Sequence, residues 1–432
     1  MTGPSYRTER LLNAANLGFF RVSSSDHPSS PATPDKAVTG KMTSQELRAS
    51  GSLALIFALR MLGLFLVLPV FALEAAKYPG GDNAALVGFA MGLYGLTQAL
   101  FQLPLGLASD RLGRKRVIVA GLVVFAVGSL VAAMADSLTG LMVGRALQGA
   151  GAVSAAVTAL MADLTRDSVR TKSMAMVGGS IGLMFALALV LSPLLAAWVG
   201  LSGIFSLTCA LAVAGIAVVL WVVPPEPAQQ ASQPRGKASA IWKHPDLLRL
   251  NLGVFVLHTV QMAMWVAVPA LLVKAGLVKS AHWQVYLPAA VLSFVAMGAL
   301  FSMERKGKLR AALLGAIALV LLVQLGLGVV AQVTSPSLLV MGGLMLVFFV
   351  GFNALEASQP SLVSRMAPAP LRGAALGAYN TLQSLGLFAG GFLGGALFQW
   401  GGMTSLFAVT TALTALWLVV TWPLRPVGRS AH

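Results

Sequence analysis

Long apolar runs fill most of this sequence, and short breaks rich in charged residues, proline and glycine separate them. Each run is close to the roughly 20 residues that a helix needs to cross a bilayer. The runs are too long for barrel strands and do not alternate between apolar and polar positions, so they predict helices. Marking the breaks predicts twelve spans, at residues 50–76, 84–107, 117–135, 138–161, 171–198, 201–223, 249–273, 283–303, 309–332, 337–363, 373–398 and 403–423.

A polar stretch at 224–248 divides these spans into two sets of six. It begins Pro224-Pro225-Glu226 and continues with Gln, Ser, Pro and Lys, a composition typical of a linker. We therefore predict an N-terminal six-helix half at 49–223, a C-terminal half at 249–424 and a short cytoplasmic tail at 425–432.

The segment before the first span, residues 1–48, is polar and rich in Ser and Pro. It contains no apolar stretch of the roughly 7–15 residues that a cleaved signal peptide requires, so we predict a disordered cytoplasmic tail. Within it, Met42 precedes Thr43-Ser-Gln-Glu46, which is a helix N-cap pattern. We therefore expect the native chain to start at Met42.

The two predicted halves share landmarks in the same order, which indicates an internal duplication. Each landmark of the first half recurs about 200 positions later, and two of the three recur at the same offset of 202. Three landmarks in register indicate two parallel repeats. The pairs are Asp110-Arg-Leu-Gly113-Arg114 with Glu304-Arg-Lys-Gly307-Lys308, Arg170 with Arg372, and Trp198-Val-Gly with Trp400-Gly-Gly.

Composition agrees with a polytopic membrane protein, since 57% of the residues are hydrophobic, 10% are charged and the mean hydropathy is +0.81. The net charge of +16 could suggest a nucleic-acid partner, but the positions of the cations decide against it. With the N-terminus in the cytoplasm, nearly all Lys and Arg that flank spans lie on that side, and Lys77, Lys274 and Lys279 lie on the other. Both termini are predicted to be cytoplasmic.

Five charges lie between the second and third spans, in the segment Gly106-Leu-Ala-Ser-Asp110-Arg111-Leu-Gly113-Arg114-Lys115-Arg116. Such charges cannot lie in hydrocarbon, so the chain must turn here. A cytoplasmic anchor would need the cations but neither Asp110 nor the glycine spacing. The arrangement resembles the signature Gly-x3-Asp-Arg-x-Gly-Arg-Lys of the major facilitator superfamily.

An arginine lies inside the fourth span, in Leu141-x3-Arg145-x2-Gln148-Gly149. A guanidinium costs several kcal/mol in a membrane, so we expect Arg145 to face the bundle interior or a water-filled cavity. The pattern is similar to the fourth-helix motif of proton-linked facilitators, and this resemblance implies a role in proton coupling. A purely structural role, binding backbone carbonyls between packed helices, is the alternative.

A carboxylate lies inside the tenth span. Asn353, Glu356 and Gln359 share one helical face through i, i+3 spacing, and burial would favour the protonated form of Glu356. Glu356 is therefore the first candidate for the proton site, with Asn353 and Gln359 as candidate cavity residues. The alternative is a Glu that stays protonated, or pairs with an Arg, and holds two helices together.

Arg60 and His258 are the other charged or titratable groups at depth, in the first and seventh spans. His258 shares a face with Gln261 and could line the cavity or relay protons, although a lone His is also common in packing. Arg60 could attract an anionic group or pair with Glu356. Further candidate cavity residues are Tyr94, Gln98 and Gln148.

The fifth and eleventh spans are rich in glycine, at Gly178-Gly-Ser-Ile-Gly182 and at Gly386-x3-Gly390-Gly391-x2-Gly394-Gly395. Glycines four residues apart lie on one face and allow helices to approach closely. We expect close helix contacts at both places.

The whole pattern from residue 46 to 424 resembles the major facilitator superfamily, and within it the YajR-type bacterial transporters, a proton-driven group similar to the drug antiporters. This second likeness rests on Arg60-Met-Leu-Gly, Tyr94-Gly-Leu-Thr-Gln98, Gly144-Arg145-Ala-Leu-Gln148 and Asn353-Ala-Leu-Glu356. YajR-type proteins commonly add a small soluble domain after the twelfth helix, and we expect none in this chain, which ends at His432. The drug-antiporter pattern Gly-x3-Gly-Pro-x2-Gly-Gly is missing from the fifth span, which weakens that part of the likeness.

The resemblance implies alternating access, with Asp110 and Arg114 closing the cytoplasmic face in the outward-open state. Asp110 would contact the start of the eleventh helix, and Arg114 would contact Asp163. The chain has no Walker motif and no metal-ligand spacing, so we expect no enzyme activity, cofactor or metal, and transport energy from ion gradients. Three functions are predicted in order: proton-driven efflux of a small amphipathic molecule across the bacterial inner membrane, proton-linked or facilitated import of a nutrient, and a non-transporting membrane sensor. The expected partners are the substrate, protons and the lipid bilayer, and we expect a monomer that binds no nucleic acid.

Overall fold

The computed structural model describes residues 41–226, 244–306, 308–368 and 371–424. Most of the predicted N-terminal tail, most of the predicted linker and the C-terminal tail lie outside these residues. The described residues form helices and turns and no β-strand. The helices are α1 (Ser44–Val67), α2 (Phe71–Ala75), α3 (Ala84–Leu112), α4 (Arg114–Ala133), α5 (Leu138–Ala150), α6 (Ser154–Asp163), α7 (Asp167–Trp221), α8 (Pro245–Lys274), a 3-10 turn (Lys279–Ala281), α9 (Trp283–Arg305), α10 (Leu309–Gln332), α11 (Leu338–Met366) and α12 (Arg372–Thr421).

Eight of the helices in this part of the chain are long and apolar enough to cross a membrane. Two of them, α7 and α12, each extend over two predicted spans. In each of them two helical segments meet at a glycine, Gly200 in α7 and Gly402 in α12, where the backbone leaves the helical conformation and the chain kinks. The predicted first and fourth spans show the opposite difference, because short breaks divide them into α1 and α2 and into α5 and α6.

Helix ends follow local capping groups. Thr43 and Glu46 form a reciprocal capping box at the start of α1, so the helix begins six residues before the predicted span. His244 accepts from the backbone N–H of Leu247, and Pro245 occupies the first turn, so α8 begins at 245 and not at 249. The second span also ends later than predicted, at Leu112, because Asp110 and Arg111 continue the helix by one more turn.

Glycines on α12 allow its closest helix contacts. A Cβ on Gly390 would lie 2.2 Å from the carbonyl oxygen of Thr259 on α8, and one on Gly391 would lie 2.6 Å from that of Gly88 on α3. The fifth span makes no such close approach at its glycines: an added Cβ at Gly178 or Gly179 would meet no atom within 4 Å, and one at Gly182 would meet only the ring of Phe294, at 3.8 Å. Glycine spacing along one helix shows where a close approach is allowed, but the partner helix decides whether it occurs.

The helix pairs repeat between the two parts of the chain. α1 packs on α7, and α8 packs on α12 in the corresponding way. The N-terminal helices α1–α7 contact the C-terminal helices α8–α12 where α3 packs on α12 and where α7 packs on α9. Large apolar side chains point outward, Trp198 and Trp400 being 82% and 81% exposed, as expected of a surface that faces lipid.

Candidate functional site

A carboxylate and an imidazole meet in the interior between α8 and α11. Oε1 of Glu356 lies 3.3 Å from Nε2 of His258. The histidine is buried, but 32% of the glutamate side chain remains exposed although the residue is in the middle of a helix. The pair therefore borders open space inside the bundle.

The hydrogen bonds of His258 restrict where its protons lie. Nδ1 is 2.9 Å from the carbonyl oxygen of Val254, which can only accept, so Nδ1 carries a proton and donates it. Nε2 then faces a carboxylate oxygen that also accepts. A proton on either Nε2 of His258 or Oε1 of Glu356 turns this contact into a hydrogen bond, so the two groups are arranged to share one.

Two residues of α12 complete this pair, and the sequence did not identify either as a site residue. Nε2 of Gln383 lies 2.8 Å from Nε2 of His258, and by rotating its amide it could donate to a neutral imidazole or accept from a protonated one. Tyr379 lies one turn earlier, close to Glu356, and its buried hydroxyl has no partner among the described residues. The only sequence signal is their i, i+4 spacing, which is common in any helix.

The other polar residues of α11 point to different neighbours. Asn353 donates from Nδ2 to the hydroxyl of Ser293 on α9, at 3.0 Å. Gln359 is buried without a hydrogen-bond partner in the described chain, next to Gly253 and Trp417. Asn353 and Gln359 therefore lie one turn before and after Glu356 on α11, and each has different neighbours from those of Glu356. Gln261 is buried on α8, three residues after His258.

Arg60 is buried among residues of the first part of the chain, away from the Glu356 pair. It donates to the hydroxyl of Tyr94 at 2.8 Å and to the hydroxyl of Ser154 at 3.0 Å. Its Nε has no partner among the described residues. The sequence suggested that Arg60 could pair with Glu356, but Glu356 contacts His258 instead. Among the ion pairs of the described residues, none joins a carboxylate to Arg60.

Arg145 also contacts Tyr94, with its guanidinium carbon 4.9 Å from the ring centre. It donates to Oε1 of Gln148 at 2.9 Å and to the carbonyl of Met91 at 3.2 Å. Gln148 in turn donates to Ser129 at 2.8 Å. The structure thus brings Arg60, Tyr94 and Arg145 together, while Gln98 is a partly buried neighbour on α3 whose Oε1 has no partner in the described residues.

The turn between α3 and α4 gathers the charges of the sequence signature. Arg114 forms an ion pair with Asp110 in the same turn, donates to Ser109 at 2.8 Å and reaches Asp163 at the end of α6, at 3.1 Å. Gly106 passes close to Ala155 of α6, and Arg111 is exposed.

Glu226 also belongs to this turn, which sequence reasoning did not predict. Its carboxylate accepts from the backbone N–H of Arg114 at 2.8 Å and from that of Lys115 at 3.3 Å. These are unsatisfied donors at the start of α4, where a negative charge is favourable. The first residues of the predicted linker are therefore fixed to the signature turn. A Pro-rich segment 112 residues away gives no local signal for such a contact.

The described residues hold no group of three or more His, Cys, Asp or Glu that could bind a metal ion.

Comparisons with known proteins agree on one family. Residues 53–391 match the Major Facilitator Superfamily. The inner membrane transport protein YajR of Escherichia coli strain K12 is 43% identical over 385 residues, which cover 88% of this chain and 84% of YajR. The multidrug resistance protein MdtH of Aeromonas salmonicida strain A449 is 27% identical over 385 residues, covering 85% of this chain and 94% of MdtH.

Two solved structures share the fold. The D-xylose-proton symporter superposes with a TM-score of 0.71 at 15% identity, covering 87% of this chain and 98% of the symporter. A bacterial homologue of the human lysosomal transporter Spinster, inward-facing and unoccupied, gives 0.69 at 15% identity, covering 88% and 97%.

Proposed function

Because the chain belongs to the Major Facilitator Superfamily, it is a membrane transporter and not an enzyme, and we propose that it is a proton-driven antiporter. In this proposal it exports a small amphipathic molecule across the bacterial inner membrane by alternating access. The similarity to YajR, an inner membrane transport protein, supports the location, and the similarity to the multidrug resistance protein MdtH supports export over import.

We further propose twelve spans with both termini in the cytoplasm. Joining α1 to α2 and α5 to α6, and dividing α7 at Gly200 and α12 at Gly402, gives twelve segments. The cation distribution supports placing the α3–α4 turn on the cytoplasmic side. This end is called the Gly113 end below, and the opposite one, where α3 begins, is called the Asn83 end.

The observation that carries the proton-coupling proposal is the contact between Glu356 and His258. Glu356 and His258 can each hold a proton, and the amide of Gln383 can hydrogen-bond either protonation state of the imidazole. The pair also borders open space inside the bundle. Loss of the shared proton leaves a net negative charge in a region of low dielectric, and a second proton leaves a net positive one. Either change in charge alters how readily the interior binds a charged substrate and how readily the helices close around that substrate.

Arg60 and Arg145 supply buried positive charge near Tyr94 in the other half. We propose that the charge of these arginines makes the interior electrostatically sensitive to the protonation of Glu356. Polar contacts for the substrate come, in this proposal, from the side-chain amides of Gln98, Gln148, Gln261, Asn353 and Gln359. The membrane potential provides about 2.3 kcal/mol per elementary charge per 100 mV, which biases two states roughly fifty-fold.

The packing of α3 on α12 supports an inward-open conformation. Near the Asn83 end the two backbones touch at Gly88 and Gly391, and the N–H of Ala84 donates to the side chain of Gln399 at 2.8 Å. Toward the Gly113 end, Gly373 and Gly377 of α12 have no atom within 4 Å of an added Cβ. The helices therefore separate toward the side proposed to be cytoplasmic.

The proposal is tested by proton movement in inverted membrane vesicles, energised and then exposed to a panel of compounds. Wild type is compared with Glu356→Gln and with Asp82→Asn, a matched acid-to-amide change at an exposed loop position. Antiport predicts that a substrate dissipates the proton gradient in wild type and in Asp82→Asn but not in Glu356→Gln.

Two other outcomes would redirect the assignment. Proton uptake together with a solute in right-side-out vesicles, with no response in inverted ones, would indicate import. Absence of any flux that depends on Glu356 or Asp110, in either orientation and for every compound, would favour a sensor.

A further inference from the structure

A cavity lies at the Asn83 end, and neither Glu356 nor His258 is among its lining residues. Its volume is about 240 Å³. Apolar residues near α2 and on α7 form one side, and Glu74, Lys77, Lys279 and His282 supply its polar groups. The function proposed above uses none of these four side chains.

The charges in this cavity do not cancel. Glu74 is 6% exposed and is the only acid among the lining residues. It forms an ion pair with Lys77 and lies 3.7 Å from the Nζ of Lys279. One carboxylate shared by two ammonium groups leaves one positive charge over. The side chains of Lys77 and Lys279 are 58% and 44% exposed, so this charge lies at the open side of the cavity, where an entering anion can compensate it.

His282 supplies the second recognition element. It is 1% exposed, and its imidazole hydrogen-bonds the backbone carbonyl of Leu277, while Nε2 has no partner among the described residues. Burial and the neighbouring Lys279 lower the pKa of His282 to about 4, so the ring is neutral at physiological pH. With the proton on Nδ1, Nε2 offers a lone pair to a ligand that carries a donor.

These features together define the ligand. The surplus positive charge favours an anion, and the unpartnered Nε2 of His282 favours a hydrogen-bond donor. A cationic donor is disfavoured beside the surplus positive charge, so the donor is a neutral group, of which a hydroxyl is the smallest. The volume is that of about eight waters at roughly 30 Å³ each, enough for a molecule of roughly ten non-hydrogen atoms.

We propose that this cavity binds a small monocarboxylate that carries a hydroxyl group on an apolar body, with the carboxylate on Lys77 and Lys279 and the hydroxyl on His282. Glu74 and Lys77 follow α1, whereas Lys279 and His282 lie between α8 and α9, so the occupant contacts both parts of the chain. Binding therefore stabilises the closed arrangement of the Asn83 end. The site does not depend on proton coupling at Glu356.

The test measures binding to the full chain in lipid nanodiscs by equilibrium dialysis. Mandelate is the probe, phenylacetate lacks its hydroxyl, and 1-phenyl-1,2-ethanediol lacks its charge. We expect saturable mandelate binding, about tenfold weaker phenylacetate binding because a buried acceptor is left unpaired, and no saturable binding of the diol.

Variants locate the binding. His282→Leu should remove the preference for mandelate over phenylacetate, and Lys279→Gln should weaken both acids about tenfold. Lys274→Gln is the matched control, since that lysine lies at the same end but donates to the carbonyl of Ala331 at 3.0 Å. Glu356→Gln should retain saturable mandelate binding, which separates this site from the proposed transport site.

Three results would overturn the proposal: no saturable mandelate binding, a mandelate preference that survives His282→Leu, or binding lost in Glu356→Gln and retained in Lys279→Gln. Lys279 is largely exposed, so its variant remains informative if the His282 variant does not fold.

Discussion

Gly200 and Gly402 have the same left-handed backbone conformation, φ 63° with ψ −168° and φ 64° with ψ −164°, at positions 202 residues apart. Arg170 and Arg372 have the same separation, and each donates to the carbonyl eight residues earlier, that of Ala162 at 3.1 Å and that of Ser364 at 2.8 Å. Equivalent bends and equivalent hydrogen bonds at one offset support the internal duplication predicted from the sequence.

Replacing Gly402 with Ala should destabilise the protein. An added Cβ would meet no atom within 4 Å, so the cost comes from the positive φ alone, about 1–2 kcal/mol. Thermal unfolding in detergent measures it. Gly342→Ala is the control, a glycine of α11 with equally open surroundings and no positive φ, and it should be neutral or slightly stabilising. Equal midpoints for the two variants would contradict the argument from backbone conformation.

Replacing Gly391 with Ala should open the Asn83 end. The new Cβ would lie 2.6 Å from the carbonyl oxygen of Gly88, and relieving that overlap costs about 1–3 kcal/mol. Pulsed EPR between spin labels at Asp82 and Gln399, in a Cys209→Ser background, should report a longer distance.

Gly377→Ala provides the control for this experiment, because it adds the same methyl group to α12 where no atom lies within 4 Å. Its distance distribution should match that of the parent protein. An unchanged distance in Gly391→Ala would show that this contact does not limit closure.

Replacing Glu226 with Ala should loosen the start of α4. The amides of Arg114 and Lys115 lose their acceptor, at a cost of about 1 kcal/mol, which corresponds to roughly fivefold faster hydrogen exchange there. Mass spectrometry of peptides covering the α3–α4 turn measures the rate. Asp136→Ala, at an exposed loop acid of the other end, should leave it unchanged. Equal protection in the Glu226 variant and the parent would mean that water replaces the carboxylate without loss.

The stability of the fold should depend on pH through His282. Its folded pKa of about 4 is below the ordinary value of 6.5, so the unfolded chain binds the proton first as the pH falls. The stabilisation is complete above pH 6.5 and is lost progressively between pH 6.5 and pH 4, by about 2 kcal/mol at pH 5.

Thermal unfolding at pH 7 and pH 5 tests this with His282→Gln, which cannot titrate. Because other groups also titrate, the comparison is between slopes: the variant should lose less stability on acidification than the wild type. Parallel curves would mean that His282 is accessible to solvent at the Asn83 end.

The sequence by itself determined the class of the protein and most of its spans. Long runs of apolar residues are stable only in a bilayer or a large core, and clusters of charges lie at the bilayer surface, so the positions of the breaks follow from composition along the chain. Asp110 and Arg114 are one helical turn apart, and their ion pair is local for that reason. The capping box at Thr43 and Glu46 is equally local.

Only the tertiary structure decided which buried groups meet. Glu356 contacts His258 rather than Arg60, Glu226 caps a helix 112 residues earlier, and Glu74 approaches Lys279 across the bundle. Helical periodicity specifies the face of a side chain on its own helix. The partner depends on how two helices rotate and approach, and that is set by backbone contacts such as Gly88 with Gly391.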